Sequence, residues 1–370
     1  MLKKYRLRDF NFILFILVAG LMVLGVFVIN SADSSFTLKQ AIGVGGAVVI
    51  MIVVSLVDYH LWIRLYLPAY GAIIVILMAV LLFGNTVNNA TRWFTIGGLT
   101  FQPSELAKTL MIIFMAALME KMIEEEKVSR AKGLLLFVGS VAVPLMLIFR
   151  EPDLSTTLCL GVVMILMLYL AGLSYKIIFI VLLVLIPAVG TFMWYISQPD
   201  QKLLNPYQVD RIMSFLNPSK YTDMYSQQAS SIMAIGSGKV WGKGLNPGPD
   251  IVTVGSSGMI SEQQTDFIFS VIGESFGFVG SVLVIAIILL IVLQCIRISR
   301  RAKDPSGMLL AGGAACLFMV QSFFNISVTT GILPNTGIPL PFISYGLTSL
   351  LSSAILVGIV LNVGMQPERW

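Results

Sequence analysis

Ten long apolar runs constrain the fold of this chain more than any other feature of its sequence. Each holds about 20 residues with few charges, the length that a helix needs to cross a bilayer. Hydrophobic residues make up 57% of the 370 residues and charged residues only 12%, unlike a soluble protein. The runs lie at residues 10–32, 38–57, 64–83, 103–121, 133–150, 155–172, 176–197, 266–296, 307–329 and 345–364. We predict an all-α polytopic membrane protein with about ten transmembrane helices, forming one integral membrane domain over residues 1–370.

The basic residues predict how these spans are oriented. An even number of spans puts both termini on one side, and most Lys and Arg residues then fall in connections on that side, as Arg297, Arg300 and Arg301 do. Short loops rich in basic residues stay in the cytoplasm, so we expect both termini there. The first run has full span length and no cleavage pattern after it, so it should remain as an anchor. The net charge of +5 then indicates attraction to anionic membrane lipid and no nucleic-acid partner.

One carboxylate stands at the edge of the eighth apolar run. Asp266 lies within Thr265-Asp-Phe-Ile-Phe269, directly before the apolar residues. A carboxylate at a membrane edge is costly unless it is paired or used, which makes Asp266 a candidate functional residue. The alternative is structural, because Thr or Asp before an apolar run is also a favoured helix N-cap. The segment alone leaves both interpretations open.

Three further charged residues lie in or at the start of apolar runs. Glu105 and Lys108 are three residues apart at the start of the fourth run, which is the spacing of an intrahelical ion pair. Such a pair serves either packing or the binding of a charged headgroup. Glu274 lies two turns beyond Asp266 and needs a partner from another helix, for which Lys108 is the candidate.

The longest stretch without a span is residues 198–265, which we predict to be one extracytoplasmic loop between spans seven and eight. It is too long to be a simple connection. Apolar residues at helical spacing predict two short amphipathic helices that lie in the membrane interface or cover the spans. These residues are Val209, Ile212, Met213 and Leu216 in the first helix and Tyr225, Ala229, Ile232 and Met233 in the second. Asp210 and Arg211 are expected to face water.

A glycine-rich segment follows these two helices. In Gly236-Ser-Gly-Lys-Val-Trp-Gly-Lys-Gly244, the residues Lys239 and Lys243 alternate with glycines. The spacing is not that of a P-loop, so a nucleotide site is weakly supported. A flexible basic loop that meets a diphosphate is the better interpretation.

The sequence offers little for metal or thiol chemistry. The three cysteines fall inside apolar runs without metal-ligand spacing, and His60 is the only histidine. A zinc site or a Cys/His nucleophile is therefore not expected. Any metal must be a hard ion held by carboxylates, waters and substrate phosphates, with no dedicated protein cage and with Asp266 as a possible ligand.

Four motifs in order along nearly the whole chain resemble those of the SEDS family of shape, elongation, division and sporulation proteins. They are Phe101-Gln-Pro-Ser-Glu-Leu-Ala-Lys108, Glu151-Pro-Asp-Leu154, Thr265-Asp-Phe-Ile-Phe269 and Gly337-Ile-Pro-Leu-Pro-Phe-Ile-Ser-Tyr-Gly346. The form of the fourth motif and the short terminal tails resemble the rod-shape branch, RodA, more than the division branch, FtsW.

This resemblance implies a glycosyltransferase of the bacterial cytoplasmic membrane that polymerises lipid II into glycan strands during cell elongation. By matching, Asp266 is the catalytic residue, as general base or as metal ligand. Arg92, Trp93, Glu105 and Lys108 are expected around the substrate cavity, with Arg92 contacting phosphate and Trp93 stacking on sugar or anchoring its loop. Glu274, Lys239 and Lys243 complete the predicted substrate-binding set.

The resemblance also implies a divalent cation, Mg²⁺ or Mn²⁺, and partners. These are a class B penicillin-binding protein that supplies the transpeptidase, and other elongation-complex membrane proteins. Three other functions compete with the main one: a division-type polymerase, a lipid II flippase, and a non-catalytic scaffold that activates the penicillin-binding protein. Charges buried among ten spans suit a flippase, although no inverted repeat is visible.

Overall fold

The helices of the computed structural model follow the apolar runs of the sequence closely. The structure describes residues 7–87, 90–96, 99–196, 198, 206–218, 220, 222–245, 260 and 262–366. Its α-helices are α1 (Phe12–Ala32), α2 (Thr37–Ser55), α3 (Tyr59–Arg64), α4 (Tyr66–Phe83), α5 (Pro103–Glu124), α6 (Ala131–Arg150), α7 (Leu154–Leu170), α8 (Tyr175–Ile196), α9 (Pro206–Leu216), α10 (Thr222–Ser237), α11 (Ile268–Arg300), α12 (Pro305–Thr329) and α13 (Leu347–Gly364). Each predicted span coincides with one of these helices, and α9 and α10 are the two predicted short helices.

Seven described helical segments are long and apolar enough to cross a membrane. They are α1, residues 34–55 with α2, α4, α6, α11, α12 and α13. Helix α7 is apolar but has only 17 residues, and α5 carries charges at both ends. The chain is therefore a multi-pass membrane protein, while the number of ten spans stays a prediction.

Two of these helices form the centre of the bundle. In α12 and in α13, 78% of an apolar stretch of 18 residues is buried within the protein, compared with 17% of the corresponding stretch in α4. Helices α2, α5, α7 and α11 surround them. Large apolar side chains on the outer helices, such as Phe12, Ile16 and Phe83, are exposed and suit contact with lipid.

The prediction of an all-α fold was wrong in one segment, because a small sheet joins α4 to α5. Its strands are β1 (Asn85–Val87), β2 (Ala90–Ile96) and β3 (Leu99–Phe101), in the order β1-β2-β3 with antiparallel pairing. The sequence indicates two hairpins, because three short stretches with β-branched or aromatic residues are separated by an Asn-Asn pair and a Gly-Gly pair. A search for apolar runs overlooks it because the segment is short and rich in Thr and Asn.

Helix α11 is broken near its beginning. Gly277 has φ 66° and ψ −160°, a conformation outside the helix that glycine adopts readily. The segment at residues 238–244 crosses this break, with the amide of Phe278 donating to the oxygen of Lys239 at 2.9 Å. A Cβ on Gly242 would lie 2.2 Å from the oxygen of Ser275, so the two backbones meet only because glycine is there. The glycine-rich segment is thus a brace on α11.

We call the end of the bundle that carries Asp266 the outer end and the opposite end the inner end. At the inner end, six side chains form what we call the inner polar cluster: Asp58, Tyr59, His60, Asp304, Asn362 and Gln366. The Tyr59 hydroxyl donates to Asp304 at 2.6 Å, and the two ring nitrogens of His60 lie 2.7 Å from Asp58 and 3.0 Å from Asp304. The Asp304 carboxylate also caps α12 by accepting the Gly307 amide at 2.7 Å. The cluster joins the starts of α3 and α12 to the end of α13.

Candidate functional site

Asp266 does not cap the helix that follows it. Helix α11 begins at Ile268, its N-cap residue is Phe267, and no side chain makes a capping hydrogen bond there. The backbone of Asp266 is held instead by Asn325 of α12, whose side-chain amide donates to the Asp266 oxygen at 2.9 Å and to the Ile338 oxygen at 2.8 Å. The structural interpretation of Asp266 as an N-cap is therefore wrong, and its carboxylate is left for another purpose.

The fourth motif forms a wall beside Asp266. The Ser344 hydroxyl donates to the Thr265 oxygen at 2.7 Å, and the Tyr345 amide donates to the Gln264 oxygen at 2.8 Å. Gly337 begins this wall with φ 73°. A Cβ added to Gly337 would lie 3.1 Å from Asp266 Oδ2 and 3.1 Å from Arg211 Nη1, so the carboxylate and the guanidinium approach each other across the bare glycine.

Arg211 was expected to face water, and that expectation was wrong. Helix α9 presents Arg211 to the outer end of the bundle, where Nη1 donates to the Thr336 oxygen at 3.0 Å. The apolar spacing located the helix correctly but did not show which partner its polar side meets. Because that side faces the Gly337 turn, Arg211 is a component of the site.

The environment of Asp266 changes its acidity. Burial raises its pKa to about 6, since the charged form is poorly solvated there. The positive charge of Arg211 opposes this rise, and the neighbouring Glu262 adds to it. A carboxylate with a pKa close to the working pH is suited to take a proton from a substrate hydroxyl.

The turn between α6 and α7 lies against the sheet. Arg92 of β2 donates from Nε to the Glu151 oxygen at 3.0 Å and also to the Pro152 oxygen. Its Nη1 lies 3.9 Å from the Asp153 carboxylate, which caps α7 by accepting the Thr156 amide at 3.0 Å. Arg92 therefore fixes the Glu-Pro-Asp turn, and its charge and that of Asp153 both influence Asp266.

Glu151 is the least expected residue of the site. Its side chain is fully buried, and neither carboxyl oxygen has a hydrogen-bond partner in the protein. Burial raises its pKa to about 9, with the Asp153 charge adding to the rise and Arg92 opposing it. At neutral pH the group is therefore a neutral acid, because an unpaired buried charge would be far more costly.

Glu105 and Lys108 form the predicted intrahelical ion pair. Lys108 Nζ lies 2.8 Å from Glu105 Oε1, and both residues are at most 4% exposed. Lys108 also donates to Gln321 of α12 at 3.3 Å, and Gln321 donates to the Pro339 oxygen at 3.0 Å. Gln321 and Asn325 are four residues apart on one face of α12, so the ion pair and Asp266 are tied to the same wall.

The outer end contains many buried polar atoms without a partner. We call Arg92, Glu151, Asp153, Arg211, Asp266 and Asn325 the outer polar cluster. Orphaned atoms belong to Ser104, Glu151, Ser322, Asn325, Asn335 and Thr336. Buried polar groups without partners are costly, and they collect where a ligand or water satisfies them. This concentration marks the outer end as a binding site.

The other predicted site residues occupy different positions. Trp93 follows Arg92 in β2, and successive strand residues point to opposite faces, so Trp93 faces away from the Glu-Pro-Asp turn. Glu274 pairs with Lys243 at 2.7 Å and not with Lys108, which was the predicted partner. Lys239 is exposed on the brace. Substrate contact by these four residues, and by Arg92, Glu105 and Lys108, stays a prediction.

The glycine-rich segment does not offer a row of free amides to a phosphate. The amides of Gly242, Lys243 and Gly244 donate to the oxygens of Gly238, Glu274 and Ser275 at 2.7–2.9 Å. Three donors that a phosphate cradle would need are thus used by the brace on α11. Of its two basic side chains, Lys239 is exposed and Lys243 is paired with Glu274.

The helical bundle and its outer polar cluster define a polytopic membrane protein with a group of buried carboxyl and guanidinium side chains at one end. A family model described as "Cell cycle protein", built for FtsW, RodA and SpoVE, matches residues 9–369. Because that match spans nearly the whole chain, the protein belongs to this family, the SEDS family.

Relatives and solved structures agree with this assignment. Proteins of Trichlorobacter lovleyi and Geobacter sulfurreducens, each named "Probable peptidoglycan glycosyltransferase FtsW", are 33% and 31% identical; the alignments cover 98% and 97% of this chain and 94% and 96% of theirs. A chain from a peptidoglycan synthase complex that coordinates polymerization and crosslinking is 26% identical with a TM-score of 0.79, covering 96% of this chain and 97% of that one. A RodA mutant of Thermus thermophilus is 25% identical with a TM-score of 0.70 and the same coverage.

Proposed function

We propose that this protein is a peptidoglycan glycosyltransferase that polymerises lipid II at the outer face of the bacterial cytoplasmic membrane. The observation that carries the proposal is the Asp266 carboxylate, which lies two residues before the apolar helix α11 and caps no helix, and whose pKa is raised to about 6 by burial. The names of its relatives support the same activity.

In the proposed reaction Asp266 is the general base. It takes the proton from the 4-hydroxyl of the acceptor sugar as that oxygen bonds to the first carbon of the donor sugar. The bond from that carbon to the undecaprenyl diphosphate breaks, and the diphosphate leaves with the electron pair. The positive charges of Arg211 and Arg92 both lower the pKa of this carboxylate. Both side chains are suited to bind a diphosphate, because the guanidinium fork binds phosphate oxygens in pairs.

A division role is better supported than the elongation role that the fourth motif favoured. Relatives named FtsW are 31–33% identical to this chain, whereas the RodA mutant is 25% identical. We therefore propose a division-type polymerase, and elongation becomes the second candidate. The Gly-Ile-Pro-Leu-Pro-Phe form of one motif is weaker support than similarity along nearly the whole chain.

We further propose that a divalent cation, Mg²⁺ or Mn²⁺, takes part. Among the described residues no three His, Cys, Asp or Glu side chains are placed to hold a metal ion, but Asp266 offers hard oxygen ligands. Asp266 would be the protein ligand of such an ion, a role that competes with that of general base, and waters and substrate phosphates would supply the other ligands. When bound, such an ion offsets the negative charge that develops on the leaving diphosphate.

A class B penicillin-binding protein is the proposed partner. The structural relative comes from a complex that coordinates polymerization and crosslinking, and this similarity covers 96% of the chain. Crosslinking would then be supplied by the partner's transpeptidase. Release of strands without a partner, at the rate seen with one, would contradict this part of the proposal.

The decisive experiment measures glycan strands from lipid II with the purified protein, its partner and Mg²⁺ or Mn²⁺, with the transpeptidase blocked. Asp266→Asn keeps the size of the side chain but removes the base, so strand formation should fall by about 100-fold to 10,000-fold. Glu262→Gln is the matched control, because Glu262 is an exposed carboxylate four residues earlier in the same segment. It should remain within about threefold of wild type.

The same assay separates the competing functions. A scaffold predicts equal strand formation with both variants, provided the partner carries the activity. A flippase predicts lipid II translocation in vesicles that depends on Asp266 while no strands are formed. Equal strands from Asp266→Asn and wild type would exclude Asp266 as the base.

A further inference from the structure

The inner end of α11 carries an open surface cavity that the proposed reaction does not use. Its volume is about 460 Å³, and it is lined by Leu293, Ile296, Arg297, Arg300 and Arg301. These positions follow the spacing of one helix face, so a single stripe of α11 builds the wall. The stripe is apolar towards the middle of the membrane and basic at the helix end.

The three arginines at this cavity are exposed, and no hydrogen bond or ion pair joins their side chains to another residue that the structure describes. Elsewhere the guanidinium groups of Arg92 and Arg130 lie near carboxylates. Like charges three and four residues apart repel each other along a helix. The helix dipole offsets part of this repulsion but does not explain a concave site with an apolar wall.

The chemistry of the wall identifies its ligand. Guanidinium forks bind phosphate oxygens in pairs, and Leu293 and Ile296 are 56% and 40% exposed on the side where acyl chains would lie. Basic pockets at the cytoplasmic side of membrane helices suit anionic lipid headgroups. We propose that this cavity binds an anionic glycerophospholipid, with its phosphodiester on Arg297, Arg300 and Arg301 and its chains along Leu293 and Ile296.

Native mass spectrometry of the full-length protein, released from micelles containing phosphatidylglycerol or phosphatidylcholine, tests this proposal. The wild type should retain phosphatidylglycerol and not phosphatidylcholine. The triple variant R297Q/R300Q/R301Q should retain it about tenfold less. The matched control K127Q/R130Q/K132Q removes the same charge from the connection between α5 and α6 and the first turn of α6, and it should behave like the wild type.

A second variant separates a pocket from a general attraction of charge. Ile296→Trp fills the cavity without changing any charge, and it should also lose the lipid while melting near the wild-type temperature. Inorganic phosphate added in excess should not displace the lipid, because phosphate has no acyl chains to place on the apolar wall. Equal retention by both triple variants, retention by Ile296→Trp, or displacement by inorganic phosphate would each overturn the proposal.

Discussion

Polar side chains gather at both ends of the bundle, and the two groups differ in how their hydrogen-bonding groups are satisfied. In the inner polar cluster, no side chain leaves a buried polar atom without a partner. In the outer polar cluster, Glu151 has two orphaned oxygens and Asn325 has one. The inner cluster is complete as it stands, whereas the outer cluster needs a ligand to complete it.

The acidities of the carboxyl groups follow the same division. At the inner end, burial is outweighed by hydrogen bonds, so the pKa of Asp304 is lowered by Tyr59 and Gly307 and that of Asp58 by His60. At the outer end, burial dominates and raises the pKa of Asp266 and of Glu151. A carboxylate whose hydrogen bonds are all made stabilises the fold, whereas a buried carboxyl group with few hydrogen bonds is available for chemistry.

Asp304→Ala should give the largest effect among the variants that test the contrast between the inner and outer polar clusters. The variant leaves the buried Tyr59 hydroxyl unpaired and removes the cap of α12, so the free energy of unfolding should fall by about 2–4 kcal/mol. Strand formation per folded molecule should stay within about twofold. Asp33→Ala, which removes a single capping bond to Ser35, is the control and should cost about 1 kcal/mol. An Asp304→Ala protein that is stable but inactive would break the contrast.

The pH dependence of strand formation is the next largest effect. If ionised Asp266 is the base, kcat/KM should fall tenfold per pH unit below about pH 6 and level off above it. Because the charge of Arg211 lowers the pKa of Asp266, Arg211→Ala should move the midpoint to higher pH, and Arg211→Lys should restore it in part. A midpoint that is the same in wild type and Arg211→Ala would show that Arg211 acts only on the structure of the wall.

Glu151→Gln gives the smallest effect and sharpens the contrast. The raised pKa of Glu151 means that the folded protein holds a proton that the unfolded chain releases. The contribution of Glu151 to the free energy of unfolding is therefore complete below the unfolded pKa, and it is lost as the pH rises through about 9. The melting temperature of the wild type should fall by a few degrees towards pH 9, and that of Glu151→Gln should change less. The opposite sign is expected at the inner end, where stabilisation from Asp304 is lost as the pH falls.

The sequence predicted the parts of this structure that depend on local pattern. Apolar runs located the helices because a span needs a fixed number of apolar residues, and Asp266 stood out because a carboxylate is rare at such an edge. The sheet was missed because its strands are short and polar. The β-branched and aromatic residues from Thr91 to Ile96, bounded by an Asn-Asn and a Gly-Gly pair, would have revealed it.

Contacts between distant segments were not predictable in the same way. Lys243 and Glu274 are 31 residues apart and meet only because the brace folds back on α11. Arg211 was assigned to water from helical spacing, which gives the polar side of a helix but not what lies against it. Glu151 was visible in the Glu-Pro-Asp motif, but nothing in one sequence shows that its carboxyl group is left unpaired.

The break at Gly277 also has a consequence for how the protein responds to bilayer thickness. An unbroken helix of 33 residues would be about 50 Å long, whereas residues 278–300 alone span about 34 Å, close to the hydrocarbon core. Hydrophobic mismatch changes the tilt of the segment that spans the lipid. Because the brace bonds to Glu274 before the break and to Phe278 after it, we expect a thicker or thinner membrane to tilt both parts of α11 together and so to act on the segment that carries Asp266.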